Sequence, residues 1–185
     1  RSERAVERQV AEDRAKLERE IATDRQQEAA LQAYLDRMAD LLLKEKLQTT
    51  KNKAVRDVAR TRTLTVLRGL DAKRKGMVVL FLHEAKLINT PKPIINLKDA
   101  DLRDADLSRT RLTGASLTGA NLGGANLSFA HMINVVLIEA DLNRARLNSA
   151  FLFDANLSGA NLSHANLSVA NLSHGTKLSL ANLNN

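Results

Sequence analysis

The sequence has no cysteine and no tryptophan, only two prolines, and aromatic residues make up 3% of its 185 residues. Without cysteine, the chain offers no disulfide framework, no thiol nucleophile and no cysteine-ligated zinc site. Its longest apolar run, Met77 to Leu82, is far too short to cross a bilayer. The apolar fraction of 44% is nevertheless too high for a disordered chain. Because that fraction is mostly leucine and alanine, any core must be assembled from small, regular pieces.

The net charge of +7 is concentrated in one part of the chain. Residues 97–185 hold seven basic and seven acidic side chains, whereas residues 51–75 hold nine basic and two acidic ones. Such a cluster can attract phosphate groups or anionic lipid headgroups. A solvated helical face is the simpler interpretation, and nucleic acid is disfavoured because no aromatic residue is interleaved for base stacking. The candidate basic patch comprises Arg56, Arg60, Arg62, Arg68, Lys73, Arg74 and Lys75.

Leucine recurs at every fifth position through the second half of the chain. Two residues before each leucine stands a small side chain, nearly always alanine, as at Ala140 and Ala145. One extra residue is inserted around 175–177, after which Leu178 and Leu183 continue the series. The predicted core ladder comprises Leu97, Leu102, Leu107, Leu112, Leu117, Leu122, Leu127, Met132, Leu137, Leu142, Leu147, Leu152, Leu157, Leu162, Leu167 and Leu172.

A period of five fits neither a helix nor a straight strand. Positions five apart drift by about 140° around a helix, and they alternate between the two faces of a strand. The pattern is satisfied if the chain turns a corner every five residues, so that the sides close into a square coil of about twenty residues. Leucine and alanine then point inward on every side. Eighteen repeats, taken four to a coil, predict about four and a half stacked coils.

Runs such as Ala-Asp-Leu-Ser-Arg at 105–109 and Ala-Asn-Leu-Ser-Gly at 155–159 resemble the pentapeptide-repeat family, whose motif is A(D/N)LXX. The resemblance covers residues 94–183 and implies a right-handed quadrilateral β-helix in a mostly non-enzymatic family. Some members of that family are DNA mimics that bind type II topoisomerases. Mimicry requires a strongly negative rod, and it is disfavoured here because the charges of the repeat region sum to zero.

The region before the repeats is predicted to be helical. Residues 1–48 are rich in Ala, Glu, Arg and Gln, contain no Gly or Pro, and predict one long helix that forms a weak coiled coil. Residues 54–88 predict a helical hairpin that packs on the repeats or caps their open end. The segment 89–93 is predicted to be a proline-containing linker, and 94–185 the β-helix. The predicted fold class is therefore α+β, with an N-terminal α-helical region followed by the quadrilateral β-helix.

The segment 62–76 resembles the stretch that precedes the repeats in some bacterial pentapeptide-repeat proteins. In those proteins, membrane helices often lie further upstream. Because the chain begins with Arg1 rather than Met, we expect upstream residues to be missing. The resemblance implies a cytoplasmic protein tethered to the inner face of the membrane, with its basic residues beside an anionic surface.

Outward side chains can be placed because positions twenty residues apart stack in this coil. His131 then lies over Phe151, and Ile133 over Phe153. A contiguous apolar surface on a soluble protein usually marks an interface. Its alternative occupants are the protein's own N-terminal helices, a second copy in a homodimer, and a foreign protein. This candidate interface, the apolar patch, comprises Phe129, Ile133, Val136, Ile138, Phe151 and Phe153.

Catalysis is disfavoured, because an enzyme requires a pocket with convergent polar groups and a nucleophile, base or metal. No cofactor is expected, and His131, His164 and His174 fall in different columns of the coil, which favours surface histidines over a metal site. We therefore expect a non-catalytic scaffold for protein interaction, whose helices serve tethering or dimerisation. The alternative is a regulator of nucleic-acid machinery that acts through the basic patch or through DNA mimicry.

Overall fold

The computed structural model describes residues 2–88 and 93–184, with helices first and repeats second. The helices of this part of the chain are α1 (Ser2–Leu43), α2 (Lys53–Gly69) and α3 (Ala72–Glu84). At about 1.5 Å per residue, α1 is on the order of 60 Å long. None of these helices combines the length and the apolar character needed to cross a bilayer. The predicted linker at 89–93 lies, except for Pro93, outside the described residues.

Two helix ends differ from the sequence prediction. The first helix stops at Leu43 instead of 48, and the third stops at Glu84 instead of 88. Each end is followed by a lysine with a left-handed backbone, Lys46 with a φ of 49° and Lys86 with a φ of 56°. A left-handed residue closes a helix in the way that glycine usually does. Because lysine stands there instead of glycine, the sequence carries no recognisable stop signal.

The C-terminal half of α1 packs on α2 and α3. Leu31, Tyr34 and Met38 are each no more than 5% exposed. The Tyr34 ring meets the Phe81 ring edge to face, with 6.2 Å between centroids. The Tyr34 hydroxyl lies 2.9 Å from the Thr63 Oγ1, and burial raises the pKa of Tyr34. The exposed apolar residues of the N-terminal half are Val6, Val10, Leu17 and Ile21.

The repeats stack with an offset of twenty residues between neighbouring coils. Asp101 forms a parallel bridge with Asn121, and the same offset recurs as far as Asn171. Within the described residues these are isolated bridges and not continuous strands, because the chain turns after each one. Beyond that point Asn156 pairs with Lys177, so the offset becomes twenty-one. This change places the inserted residue between positions 171 and 177.

Each side of the coil ends in a turn with one residue in the left-handed region. In the first turn, the Ala100 N–H donates to the Leu97 carbonyl at 3.1 Å, and Asp99 has a φ of 61°. This combination is typical of a type II turn, in which glycine is usually required. Here most such positions hold other residues, including Phe129 with a φ of 59° and Val169 with a φ of 58°.

The leucine ladder fills the interior of the coils. Every ladder residue from Leu97 to Leu162 is at most 1% exposed, and the alanines from Ala100 to Ala160 are completely buried. The last two ladder residues, Leu167 and Leu172, are half-buried. A filled interior leaves only the outer surface of the coils for contacts with other molecules.

Candidate interaction surface

Two rings of the apolar patch, Phe151 and Phe153, form a ring ladder with His131 and His174. The His131 and Phe151 rings stack with centroids 4.7 Å apart and 26° between their planes. The Phe153 ring lies 6.4 Å from the Phe151 ring and meets the His174 ring edge-on at 6.0 Å. The distance between the His131 and Phe151 rings matches the separation of hydrogen-bonded backbones, about 4.8 Å, because these two residues pair across neighbouring coils.

The apolar patch is open to solvent. Phe129 and Phe151 are 45% and 36% exposed. The Arg109 guanidinium lies over the Phe129 ring at 5.7 Å from its centroid, a cation–π contact. The half-buried members of the patch are Ile133, Val136, Ile138 and Phe153. The structure thus exposes two phenylalanine rings of the patch and places a basic side chain over one of them.

The helices cover the open end of the first coil and leave the two most exposed rings of the apolar patch uncovered. Arg60 of α2 donates to the backbone carbonyls of Asn96 at 3.0 Å and Lys98 at 2.8 Å. The Asp106 N–H donates to the Ala72 carbonyl of α3 at 3.0 Å. An unpaired edge of this kind is a template for pairing with other chains. The helices therefore cover the edge of the first coil, which has no preceding coil to pair with.

Where the helices cap the first coil, Lys75 of α3 is buried and only 5% exposed. Its ammonium donates to the Asp101 carboxylate and to the Arg103 carbonyl, each at 3.1 Å. The Arg103 guanidinium donates to the same carboxylate at 2.8 Å. The Arg103 hydrogen bonds, together with Lys75, hold the pKa of Asp101 well below its usual range.

Arg74 joins α3 to α1 on the other side of the cap. Its guanidinium lies 2.7 Å from the Asp24 carboxylate, 3.1 Å from that of Glu28 and 2.5 Å from that of Asp71. Hydrogen bonding to Asp24 is the main cause that raises the pKa of Arg74 above its usual value. Asp24 and Glu28 interrupt the pattern of apolar residues along α1. Their pairing with Arg74 explains why acidic residues occupy these positions.

Four of the seven residues in the basic patch are thus engaged in holding the fold together. Besides Arg60, Arg74 and Lys75, the Arg56 guanidinium donates to the Thr50 carbonyl at 2.6 Å. Clustering in the sequence predicted the excess of charge, but it carried no signal for which side chains reach backbone carbonyls. The members that remain without a partner in the part of the chain that the structure describes are Arg62, Arg68 and Lys73.

Among the described residues, no group of three or more His, Asp or Glu side chains is placed to hold a metal ion. His131 and His174 belong to the ring ladder, and His164 is exposed on another side of the coil.

The family model for pentapeptide repeats matches the chain in eight copies, over residues 95–128, 120–157 and 150–185. A solved pentapeptide repeat protein from the cyanobacterium Cyanothece 51142, Rfr23, is 33% identical to the chain. The match covers 51% of this chain and 67% of Rfr23, with a TM-score of 0.46. The chain belongs to the pentapeptide-repeat family. Its repeats imply a quadrilateral β-helix, and pentapeptide-repeat proteins are generally non-enzymatic.

Two other solved pentapeptide-repeat proteins, both from Nostoc PCC 7120, are also similar. One is 31% identical over 58% of this chain and 74% of its own length, with a TM-score of 0.32. The other is HetL, a protein involved in the regulation of heterocyst differentiation, at 32% identity and a TM-score of 0.21. That match covers 52% of this chain and 51% of HetL, so this pentapeptide-repeat chain spans about half the length of HetL. No curated protein matches the chain.

Proposed function

We propose that this protein is a non-catalytic scaffold that binds a protein partner through its apolar patch. In this proposal the patch is carried by a right-handed quadrilateral β-helix of about four and a half coils. The observation that carries the proposal is the exposure of Phe129 and Phe151, 45% and 36%, beside a stacked ladder of rings. Contiguous exposed apolar surface on a soluble protein usually marks an interaction site.

The backbone beneath the patch favours binding because it is already ordered. The Met132 N–H donates to the Phe151 carbonyl at 2.8 Å, and the Phe151 N–H donates to the Ala130 carbonyl at 2.9 Å. Ring stacking further restricts the side chains. A surface that is rigid before binding loses little conformational entropy when a partner docks. Aromatic anchors of this type contribute much of the binding energy at protein interfaces.

The free half of α1 supports a second part of the proposal, namely tethering or dimerisation through the helices. Val6 and Val10 are both 62% exposed, and Leu17 is 56% exposed. These residues lie beyond the section of α1 that packs on α2 and α3. A neighbouring helix from a second copy would cover them in a weak coiled coil.

The patch is tested by the double substitution Phe151→Asp and Phe153→Asp. Two carboxylates in the ring ladder are expected to abolish partner binding, or to convert a dimer to a monomer, while the filled interior keeps the coil folded. The matched control is His164→Asp with Ser168→Asp, which adds the same acids at exposed positions outside the patch. Proximity labelling in cells, together with sedimentation of the purified protein, measures both outcomes. Unchanged labelling partners and unchanged sedimentation in the patch variant would reject the proposal.

A further inference from the structure

A groove of about 400 Å³ lies between α1 and α2, away from the apolar patch. Small residues line it from both helices, Ala30 and Ala33 on α1 and Gly69 on α2. Val66 and the ring of Tyr34 contribute its other apolar lining. Its volume falls within the range of pockets that bind small molecules, about 300–1,000 Å³.

Two arginines line this groove from opposite helices, Arg37 of α1 and Arg62 of α2. Both are exposed, and neither has an acidic or hydrogen-bonding partner among the described residues. This contrasts with Arg60 and Arg74 nearby, whose guanidinium groups are engaged by carbonyls or carboxylates. Two guanidinium groups that line one pocket give it a positive potential, which favours an anionic ligand.

Besides the two arginines, the polar side chains that line the groove are those of Gln26, Gln27, Tyr34 and Thr65. The Tyr34 hydroxyl already pairs with the Thr63 hydroxyl, at 2.9 Å. An apolar ligand segment can therefore lie on the ring of Tyr34 and on Val66 without leaving a buried hydroxyl unpaired. The side-chain oxygen of Gln27 is likewise engaged, since it accepts a hydrogen bond from the Asp71 N–H at 2.7 Å.

We propose that the groove binds a single-chain anionic amphiphile, with its carboxylate or phosphate between Arg37 and Arg62 and its hydrocarbon chain along the small residues of α1. Arginine suits this role because its planar guanidinium forms paired hydrogen bonds with carboxylate and phosphate oxygens. The groove extends from Gln26 to Arg37, which is about 16 Å along the helix and gives room for an extended alkyl chain. Charge complementarity thus selects the head, and the apolar walls select the tail.

Octanoate, octanol and inorganic phosphate are the probes that separate head from tail. Titrated into the full chain and followed by amide chemical shifts, octanoate is expected to bind about tenfold more tightly than either of the others. Octyl phosphate is expected to bind at least as well as octanoate, which would assign the headgroup to anions generally. Equal affinity for octanoate and octanol, or shifts located away from α1 and α2, would overturn the proposal. Equal affinity for octanoate and phosphate would overturn it as well.

Substitutions then assign the contacts. Arg37→Gln with Arg62→Gln is expected to remove the preference for octanoate over octanol, whereas the control Arg25→Gln with Arg68→Gln is expected to keep it. Ala33→Leu fills the groove without changing charge and is expected to weaken octanoate and octanol alike. Retention of the octanoate preference in the first variant, with unchanged thermal stability, would refute the assignment.

Discussion

The ammonium of Lys75 lies 3.1 Å from the Asp101 carboxylate, at the place where α3 meets the first coil. Only 7% and 16% of the two side chains are exposed. An ion pair with so little exposure to solvent contributes modestly to stability, but removal of one partner leaves the other charge buried without a counter-ion. This pair therefore couples the stability of the helical cap to that of the repeats.

We expect Asp101→Asn to lower the free energy of unfolding by about 2 kcal/mol, because Lys75 would keep its charge and lose its counter-ion. Urea denaturation followed by circular dichroism measures the change. Asp104→Asn is the control, since Asp104 is exposed and also has a left-handed backbone, which asparagine tolerates. A loss of stability in the control as large as that of Asp101→Asn would contradict the role of the pair.

The same carboxylate predicts a dependence of stability on pH. The pKa of Asp101 is lowered in the folded protein, mainly by hydrogen bonds from Arg103. Its contribution to stability is therefore complete above the unfolded value, about 3.9, and is lost as the pH falls toward the lower folded value. Thermal unfolding should show wild type losing stability below about pH 4, with a smaller loss in Asp101→Asn. If stability fell with pH in the same way for the wild type and for Asp101→Asn, this role of the Asp101 carboxylate would be contradicted.

Gly76 of α3 is predicted to be irreplaceable by alanine. In an isolated helix this change would stabilise by roughly 1 kcal/mol. Here a β-carbon would lie inside van der Waals contact of the Asp106 carbonyl oxygen, which belongs to the rigid first coil. We expect Gly76→Ala to destabilise by about 1–3 kcal/mol in urea denaturation, with faster hydrogen exchange at the Asp106 amide. Gly69→Ala, which meets no atom within 4 Å, should be close to neutral.

Val169 offers a stabilising substitution. It is 86% exposed and has a φ of 58°, a backbone conformation that is strained for a β-branched residue. We expect Val169→Gly to raise the free energy of unfolding by about 1 kcal/mol, and Val169→Ala to raise it by less. The reverse change at Gly124, Gly124→Val, should destabilise, because a β-carbon there would meet the Asp104 side chain. Destabilisation by Val169→Gly would show that this turn carries no such strain.

The leucine period indicated the inward columns, since a spacing of five permits few backbone paths, and the A(D/N)LXX motif then identified the repeat family. The period also placed Phe151 next to His131, because an offset of twenty follows from the square coil. The role of Arg60 could not be predicted in this way. Its two carbonyl partners lie 36 and 38 residues away and become neighbours only through packing. The helix ends at Leu43 and Glu84 were not predicted, because the left-handed residues that follow them, Lys46 and Lys86, are lysines and not glycines.

The offset of twenty residues has a geometric consequence for how this molecule tolerates changes in length. An insertion of one five-residue side after Ser108 would swing everything downstream by a quarter turn about the long axis, so that Phe151 would point in a new direction relative to α3. An insertion of a whole coil of twenty residues would move Phe151 by about 4.8 Å along the axis and leave its angular orientation unchanged. Length and orientation are therefore adjustable independently, by counting in fives or in twenties.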